Sequence, residues 1–199
     1  MRIAIVDYGA GNLTSVRKAF EALGQPAEIT SAPQFVLEAE KIVVPGVGHF
    51  AATQALQVRG LSTAIRTALS QAKPILGICL GMQWMFASSE EAVNVEGLKI
   101  FPGSCTRFPS DVKSPHVGWN RLSYSANSRL FHDIPEGSFV YFTHSYRAPI
   151  VEGTVATCEY AGRFSAAVER EKVFGVQFHP EKSGAAGKKF LQNFCELPC

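Results

Sequence analysis

Residues 74–81 read Pro74-Ile75-Leu76-Gly77-Ile78-Cys79-Leu80-Gly81, and the fold turns on this stretch. A short apolar run behind a proline predicts a buried strand. The G-x-C-x-G at its end is the cysteine form of the sharp strand-to-helix turn that carries a nucleophile. Glycines on both sides remove the Cβ atoms that would clash in so tight a turn. A helix is expected from Leu80 onward, with its free N–H groups and positive end aimed at the sulfur, which favours thiolate. The competing reading is a buried cysteine packed as a small hydrophobe, the commonest fate of that residue.

On the amino-terminal side, residues 2–7 form an apolar run that stops at Gly9 and Gly11. Leu13, Val16, Phe20 and Leu23 then recur at helical spacing, with Gly24 as the cap. Strands are expected at 27–30 and at 41–44, the latter stopped by Pro45-Gly46, and a helix over 50–69 broken at Gly60. Beyond Gly97 short β-rich segments follow, at 104–108, 117–124, 138–142, 154–160, 165–169 and 173–178, before a closing helix at 185–195. Parallel βαβ units followed by antiparallel strands predict an α/β fold. Its centre is a mixed, mostly parallel sheet flanked by helices, with an antiparallel β extension, in one domain over residues 1–199.

Bulk properties narrow the function. With 46% apolar and 18% charged residues the chain can bury a real core. Nineteen basic against 17 acidic side chains, without long like-charged runs, argue against a nucleic-acid or membrane footprint. Residues 1–7 reach Asp7 after only four apolar residues, too few for an export signal, and no run of 18 apolar residues occurs. Five cysteines, an odd number, fit reduced thiols in the cytoplasm rather than a disulfide framework. Cys105 and Cys158 fall in apolar strand patterns. Cys195 and Cys199 form a lone C-x3-C without the second pair a zinc site needs, so no metal and no cofactor is expected.

A cysteine nucleophile needs a base, and the base needs an orienting group. Val173-Phe174-Gly175-Val176-Gln177-Phe178 is a strand pattern ending in His179-Pro180-Glu181. In extended chain the i, i+2 spacing sets the His179 and Glu181 side chains on one side, and Pro180 stiffens the backbone between them. A surface turn is the alternative. Cys79 and His179 both fall at carboxyl ends of strands, where such sheets gather their chemistry. Acyl transfer also needs donors for an oxyanion. Gly46, Val47 and Gly48, in P-G-V-G at a third strand end, and the N–H of Leu80 are the candidates. Gln83 lies one helical turn beyond Cys79, and His144-Ser145-Tyr146 is a polar cluster at another strand end. His49, His116 and His132 have no catalytic partner evident in sequence.

Together G-I-C-L-G-M-Q, P-G-V-G and V-Q-F-H-P-E-K-S resemble the class I glutamine amidotransferases, in that family's order and across nearly the whole chain. The resemblance implies a flavodoxin-like sheet, glutamine as substrate and a glutamyl thioester on Cys79. It implies His179 as base, Glu181 as its orienting group, and an oxyanion site at Gly46, Val47, Gly48 and Leu80. Gln83, Ser145 and Tyr146 would hold the amino-acid end of glutamine. Three more stretches, Asp7-Tyr8-Gly9-Ala10-Gly11-Asn12-Leu13, Pro115-His116-Val117-Gly118-Trp119-Asn120 and Tyr141-Phe142-Thr143-His144-Ser145-Tyr146, resemble one branch of that family. In that branch the ammonia passes to a separate (β/α)8-barrel cyclase subunit, which makes imidazole glycerol phosphate and aminoimidazole carboxamide ribotide for histidine biosynthesis. A heterodimer docked through Asn12, Trp119, Asn120 and Tyr141 is then expected, the alternative for Trp119 being a core aromatic.

Other members of the family, the glutaminase partners of pyridoxal phosphate or anthranilate synthases, are the main rivals, and D-Y-G-A-G-N and P-H-V-G-W-N speak against them. A dinucleotide-binding reading of Gly9-Ala10-Gly11 fails on Thr14, which stands where a third glycine belongs, and on the missing acid at the end of a second strand.

Overall fold

The computed structural model describes residues 2–124 and 128–199; Met1, part of the amino-terminal stretch read above, lies outside them. The first half alternates strands and helices: β1 (Ile3–Val6), α1 (Leu13–Glu21), β2 (Ala27–Thr30), α2 (Pro33–Glu38), β3 (Lys41–Gly46), α3 (Gln54–Val58), α4 (Leu61–Ser70), β4 (Ile75–Cys79) and α5 (Leu80–Trp84). The second half is mostly β: β5 (Ser88–Ser89), β6 (Ser104–Arg107), β7 (His116–Arg121), β8 (Ser123–Tyr124), β9 (Phe139–His144), β10 (Tyr146–Arg147), β11 (Thr154–Glu159), β12 (Arg163–Arg170) and β13 (Val173–Val176), closed by α6 (Gly184–Glu196).

Eight strands form one sheet in the order β2-β1-β3-β4-β13-β12-β11-β8. The first five run parallel and the last three antiparallel. Because side chains alternate along a strand, the sheet feeds two cores. Ile3, Ile5, Val43, Leu76 and Ile78 pack with Val16 and Phe20 of α1 and Phe190, Leu191 and Phe194 of α6. Ala4, Val6, Ile42, Val44 and Ile75 pack with Val36, Leu56, Leu61 and Ile65 of α2, α3 and α4. The mixed, mostly parallel sheet between helices is therefore as expected. The antiparallel additions include a separate two-stranded ribbon, β7 with β9.

Four details differ from the sequence reading. Helix α2, begun at Pro33, was not anticipated. Strand β3 continues through Pro45 to Gly46. Ile42 N donates to Pro74 O, on the β4 side, so Pro45 faces the β1 side, where pairing has already ended at Ile5–Val43 and no donor is needed. The helix after Leu80 lasts only five residues. The N–H groups of Leu98, Ile100 and Lys99 take the carbonyls of Trp84, Met85 and Phe86 that a longer helix would have used, leaving only a weak dipole behind Cys79. The strand expected at 117–124 is two strands, divided at buried Leu122, with β7 on the ribbon and β8 on the main sheet.

At the base of the sheet Lys41 is fully buried, and its ammonium donates to the carbonyls of Phe194 (3.0 Å), Cys195 (2.9 Å) and Leu197. It caps the last turn of α6, where unpaired carbonyls and the negative end of the helix favour a cation.

Candidate active site

Cys79 ends β4 with φ +53°, a left-handed conformation costly for any side chain but glycine and typical of residues held in place for chemistry. The flanking glycines permit it. A Cβ on Gly77 would lie 2.7 Å from the Gly81 backbone, and one on Gly81 would lie 1.7 Å from Val44 O. Strand and helix thus meet backbone to backbone. The sulfur is 3.9 Å from Thr143 O and 3.5 Å from Gln177 Nε2.

His179 leaves the end of β13, three residues past Val176, and its N–H donates to Tyr141 O on the ribbon. The segment after it is not extended, as the spacing had suggested. Pro180–Lys182 is a single 3-10 turn, closed by Lys182 N donating to His179 O. The turn brings Glu181 Oε1 to 2.8 Å from His179 Nδ1, with both side chains buried. Nδ1 therefore carries its proton toward Glu181, and Nε2 is left without a hydrogen bond of ordinary geometry. Burial pulls the imidazole down, but the neighbouring Cys79 sulfur and Glu181 carboxylate prevail and raise it to about 10. Ser183 Oγ accepts from Tyr141 N and donates to His179 O, tying ribbon and base together.

Cys79 opens into a cavity of about 200 Å³ whose wall includes Val47, Gly48, Leu80, Gln83, Ser145 and Tyr146. Gly46 is not part of that wall. It pairs with Cys79 across the sheet, where a Cβ would lie 2.1 Å from the Tyr8 hydroxyl and 2.8 Å from Leu80 Cβ. Its place in the oxyanion set is thus one of packing beneath the turn. Gln83 is less free than expected, because its Nε2 donates to both Tyr146 O and Gln177 Oε1, at 3.0 Å each, and only its Oε1 remains for a ligand. A larger cavity of about 620 Å³, beside Lys99, Phe101 and Arg170, contains none of these residues.

Two side chains at the site, Glu91 and Gln177, escaped the sequence reading, which had placed His144 only in a polar cluster at a strand end. Glu91, from a turn after α5, lines the cavity and accepts from Phe50 N at 2.7 Å; nothing near it in sequence signals this. Gln177 is fully buried beside the sulfur, and its position two residues before His179 is the signal that could have found it. His144 lines the cavity and His116 stands behind it. Tyr146 O can only accept, so His144 Nδ1 donates to it (2.8 Å), His144 Nε2 accepts from His116 Nδ1 (3.0 Å), and His116 Nε2 accepts from Asn120 Nδ2 (3.4 Å).

Burial pushes His144 down to about 3 and His116 to about 4, so both are neutral at neutral pH. Their folded values lie below the unfolded one, so the unfolded chain takes up their protons first. The stability they contribute is complete above about pH 6.5 and is lost as pH falls toward the folded values. By pH 5 the loss reaches up to roughly 2 kcal/mol per histidine, less for His116 near the ribbon edge. His179, shifted the other way, adds nothing to this acid loss. Melting temperatures from pH 7.5 to 5 should therefore fall, and fall less in His116→Gln; equal slopes would disprove the assignment.

The expected docking residues take different places around the ribbon. Trp119 is 53% exposed and stands across from Tyr141, ring centroids 6.1 Å apart, so it is not a core aromatic. Val117 and Phe139 are exposed on the same face. Asn120, one residue on from Trp119, belongs to the opposite face, where it donates to Glu159 O, a correction that strand alternation explains. Asn12 precedes α1 in a loop whose Gly11 abuts Gly46.

The family described as glutamine amidotransferase class-I matches residues 4–197. The chain is 47% identical to the imidazole glycerol phosphate synthase subunit HisH of Moorella thermoacetica, over 98% of this chain and 94% of that one. It is 46% identical to the subunit of the same name from Methanosarcina mazei, over 98% of each. Among solved structures it resembles PurLQS from Thermotoga maritima (TM-score 0.74, 20% identity, 98% of this chain and 97% of that one). The glutaminase domain of Trypanosoma brucei CTPS with bound acivicin is also similar (TM-score 0.67, 20% identity, 100% and 95%). These two likenesses concern the fold.

Proposed function

The chain belongs to the class-I glutamine amidotransferases, and from that membership we propose that it is the glutaminase subunit of an imidazole glycerol phosphate synthase. It hydrolyses glutamine to glutamate and ammonia. The observation that carries the reading is the Cys79 sulfur beside a buried His179 whose Nδ1 is held 2.8 Å from Glu181. An imidazolium next to the sulfur stabilises its anion. The thiolate attacks the side-chain amide carbon of glutamine, forming a C–S bond and a tetrahedral oxyanion. His179 returns its proton to the departing nitrogen, so that ammonia leaves and a glutamyl thioester remains. His179 then takes a proton from water, whose oxygen attacks the thioester, and glutamate leaves as the C–S bond breaks. Glu181 holds one imidazole tautomer throughout.

The N–H groups around Val47, Gly48 and Leu80 supply the oxyanion donors, with Gly46 packed beneath them. Ser145, Tyr146 and Gln83 Oε1 receive the amino-acid end of the substrate, and the Glu91 carboxylate suits its ammonium. Ammonia released into water would be protonated and lose its nucleophilicity, so it passes enclosed to a (β/α)8-barrel cyclase subunit. That partner makes imidazole glycerol phosphate and aminoimidazole carboxamide ribotide. The exposed apolar face with Val117, Trp119, Phe139 and Tyr141 suits such a partner, and Tyr141 O links it directly to His179 N. The proposal places the heterodimer in the cytoplasm. No helix among the described residues is long and apolar enough to cross a membrane.

The test is glutamine turnover by the subunit alone and with the barrel partner and its ribotide ligand. Turnover should rise on assembly, and Trp119→Ala should reduce that rise by weakening docking. Equal rates with and without the partner would overturn the proposed dependence.

A further inference from the structure

Resting on the glutaminase reading for its catalytic meaning, we propose that Gln177 is a dedicated hydrogen-bond donor to the nucleophilic sulfur and that Gln83 aims it. The direction of the amide chain is determined. Tyr146 O only accepts, so the Gln83 amide must present its NH2 group to it, at 3.0 Å. The same nitrogen lies 3.0 Å from Gln177, which must therefore present Oε1. Turning Gln83 would set carbonyl against carbonyl, and turning Gln177 would set NH2 against NH2. Gln177 Nε2 is then left facing Cys79 Sγ at 3.5 Å. His144 Nδ1, donating to Tyr146 O at 2.8 Å, holds the far end of the chain.

Gln177 is fully buried, so water does not compete for the donor. It precedes His179 by two residues at the same strand end, so one segment delivers both base and donor toward the sulfur. The ionisable groups around the sulfur are the His179 imidazole with Glu181 behind it, the buried Tyr8 hydroxyl, and His144 and Glu91 in the cavity wall. The Gln177 amide is neutral and donates at every pH. A thiolate accepts such a bond far better than a thiol or thioester, so the bond favours the anion that attacks and the anion that departs when water cleaves the thioester.

The test is the pH profile of Cys79 alkylation by iodoacetamide in the whole chain, which needs neither glutamine nor partner. In Gln177→Met the profile should move to higher pH, with the rate on its acid side about tenfold lower, the scale of one charge-assisted hydrogen bond. Gln83→Met should do the same by releasing Gln177, and the double variant should lose no more than either single one. In the assembled Gln177→Met enzyme kcat should fall with little change in KM for glutamine, since Gln177 is not in the cavity wall. An unmoved profile in a Gln177→Met protein that melts normally would overturn the proposal, as would losses that add in the double variant. If Gln177→Met does not fold, Gln83→Met decides by the same profile. A chain that hydrolyses no glutamine even with its partner would sink the glutaminase reading, while the alkylation profile still judged the donor.

Discussion

Cys79→Ala is expected to abolish glutamine-dependent synthesis by the assembled enzyme, with a loss on the order of 10⁴-fold or more, while synthesis from added ammonium continues. The sulfur supplies the electron pair that forms the thioester, and no neighbouring group can replace it. The Ser145 hydroxyl, though in the same cavity, is not the group beside which His179 is placed. Alanine fits where the cysteine was, so folding and docking should persist, and ammonium-driven synthesis reports both. Loss of the ammonium-driven reaction as well would mean that Cys79 is structural and the triad wrong.

Gly81→Ala should have an effect of a different kind, because it strikes the fold at the site. Its Cβ would sit 1.7 Å from Val44 O, a backbone atom in a central strand paired on both sides, so relief requires β3 and α5 to separate. Overpacking that only the backbone can relieve costs more than the usual ~1–3 kcal/mol of a crowded side chain. The expected result is insoluble protein or a melting temperature lower by on the order of ten degrees, on the scale of about 2–4 °C per kcal/mol for a chain of this size. A variant that melts like the parent would show that the close approach of strand and helix is not needed.

These two positions also mark what the sequence made legible. Gly77, Cys79 and Gly81 announce themselves because the turn depends on local backbone geometry, which residue types report directly. His179 and Glu181 were legible in identity but not in conformation, because a turn and an extended segment can both pair an i, i+2 histidine and glutamate. The contact of Gln177 with Gln83 was obscured for a different reason. Their meeting depends on β4 and β13 lying side by side although nearly the whole β-rich half separates them in sequence, and no local pattern encodes that pairing. Glu91 is placed by a short turn with no periodicity to read. Among the docking residues, Trp119 and Asn120 could have been separated by alternation alone, as neighbours within the strand already expected there.

Lys41 has a bearing on the opposite end of its strand. Its ammonium is pinned to three carbonyls at the close of α6, and five residues later the same strand delivers Gly46 beneath the catalytic turn. A strand clamped at its foot and paired on both flanks cannot slide lengthwise. Any adjustment of the Val47 and Gly48 peptides to a tetrahedral intermediate must then be a rotation at the free tip, with Gly48, at φ +97°, as the natural pivot. The strand behaves as a beam fixed at one end, and the chemistry sits on the few residues past its last support.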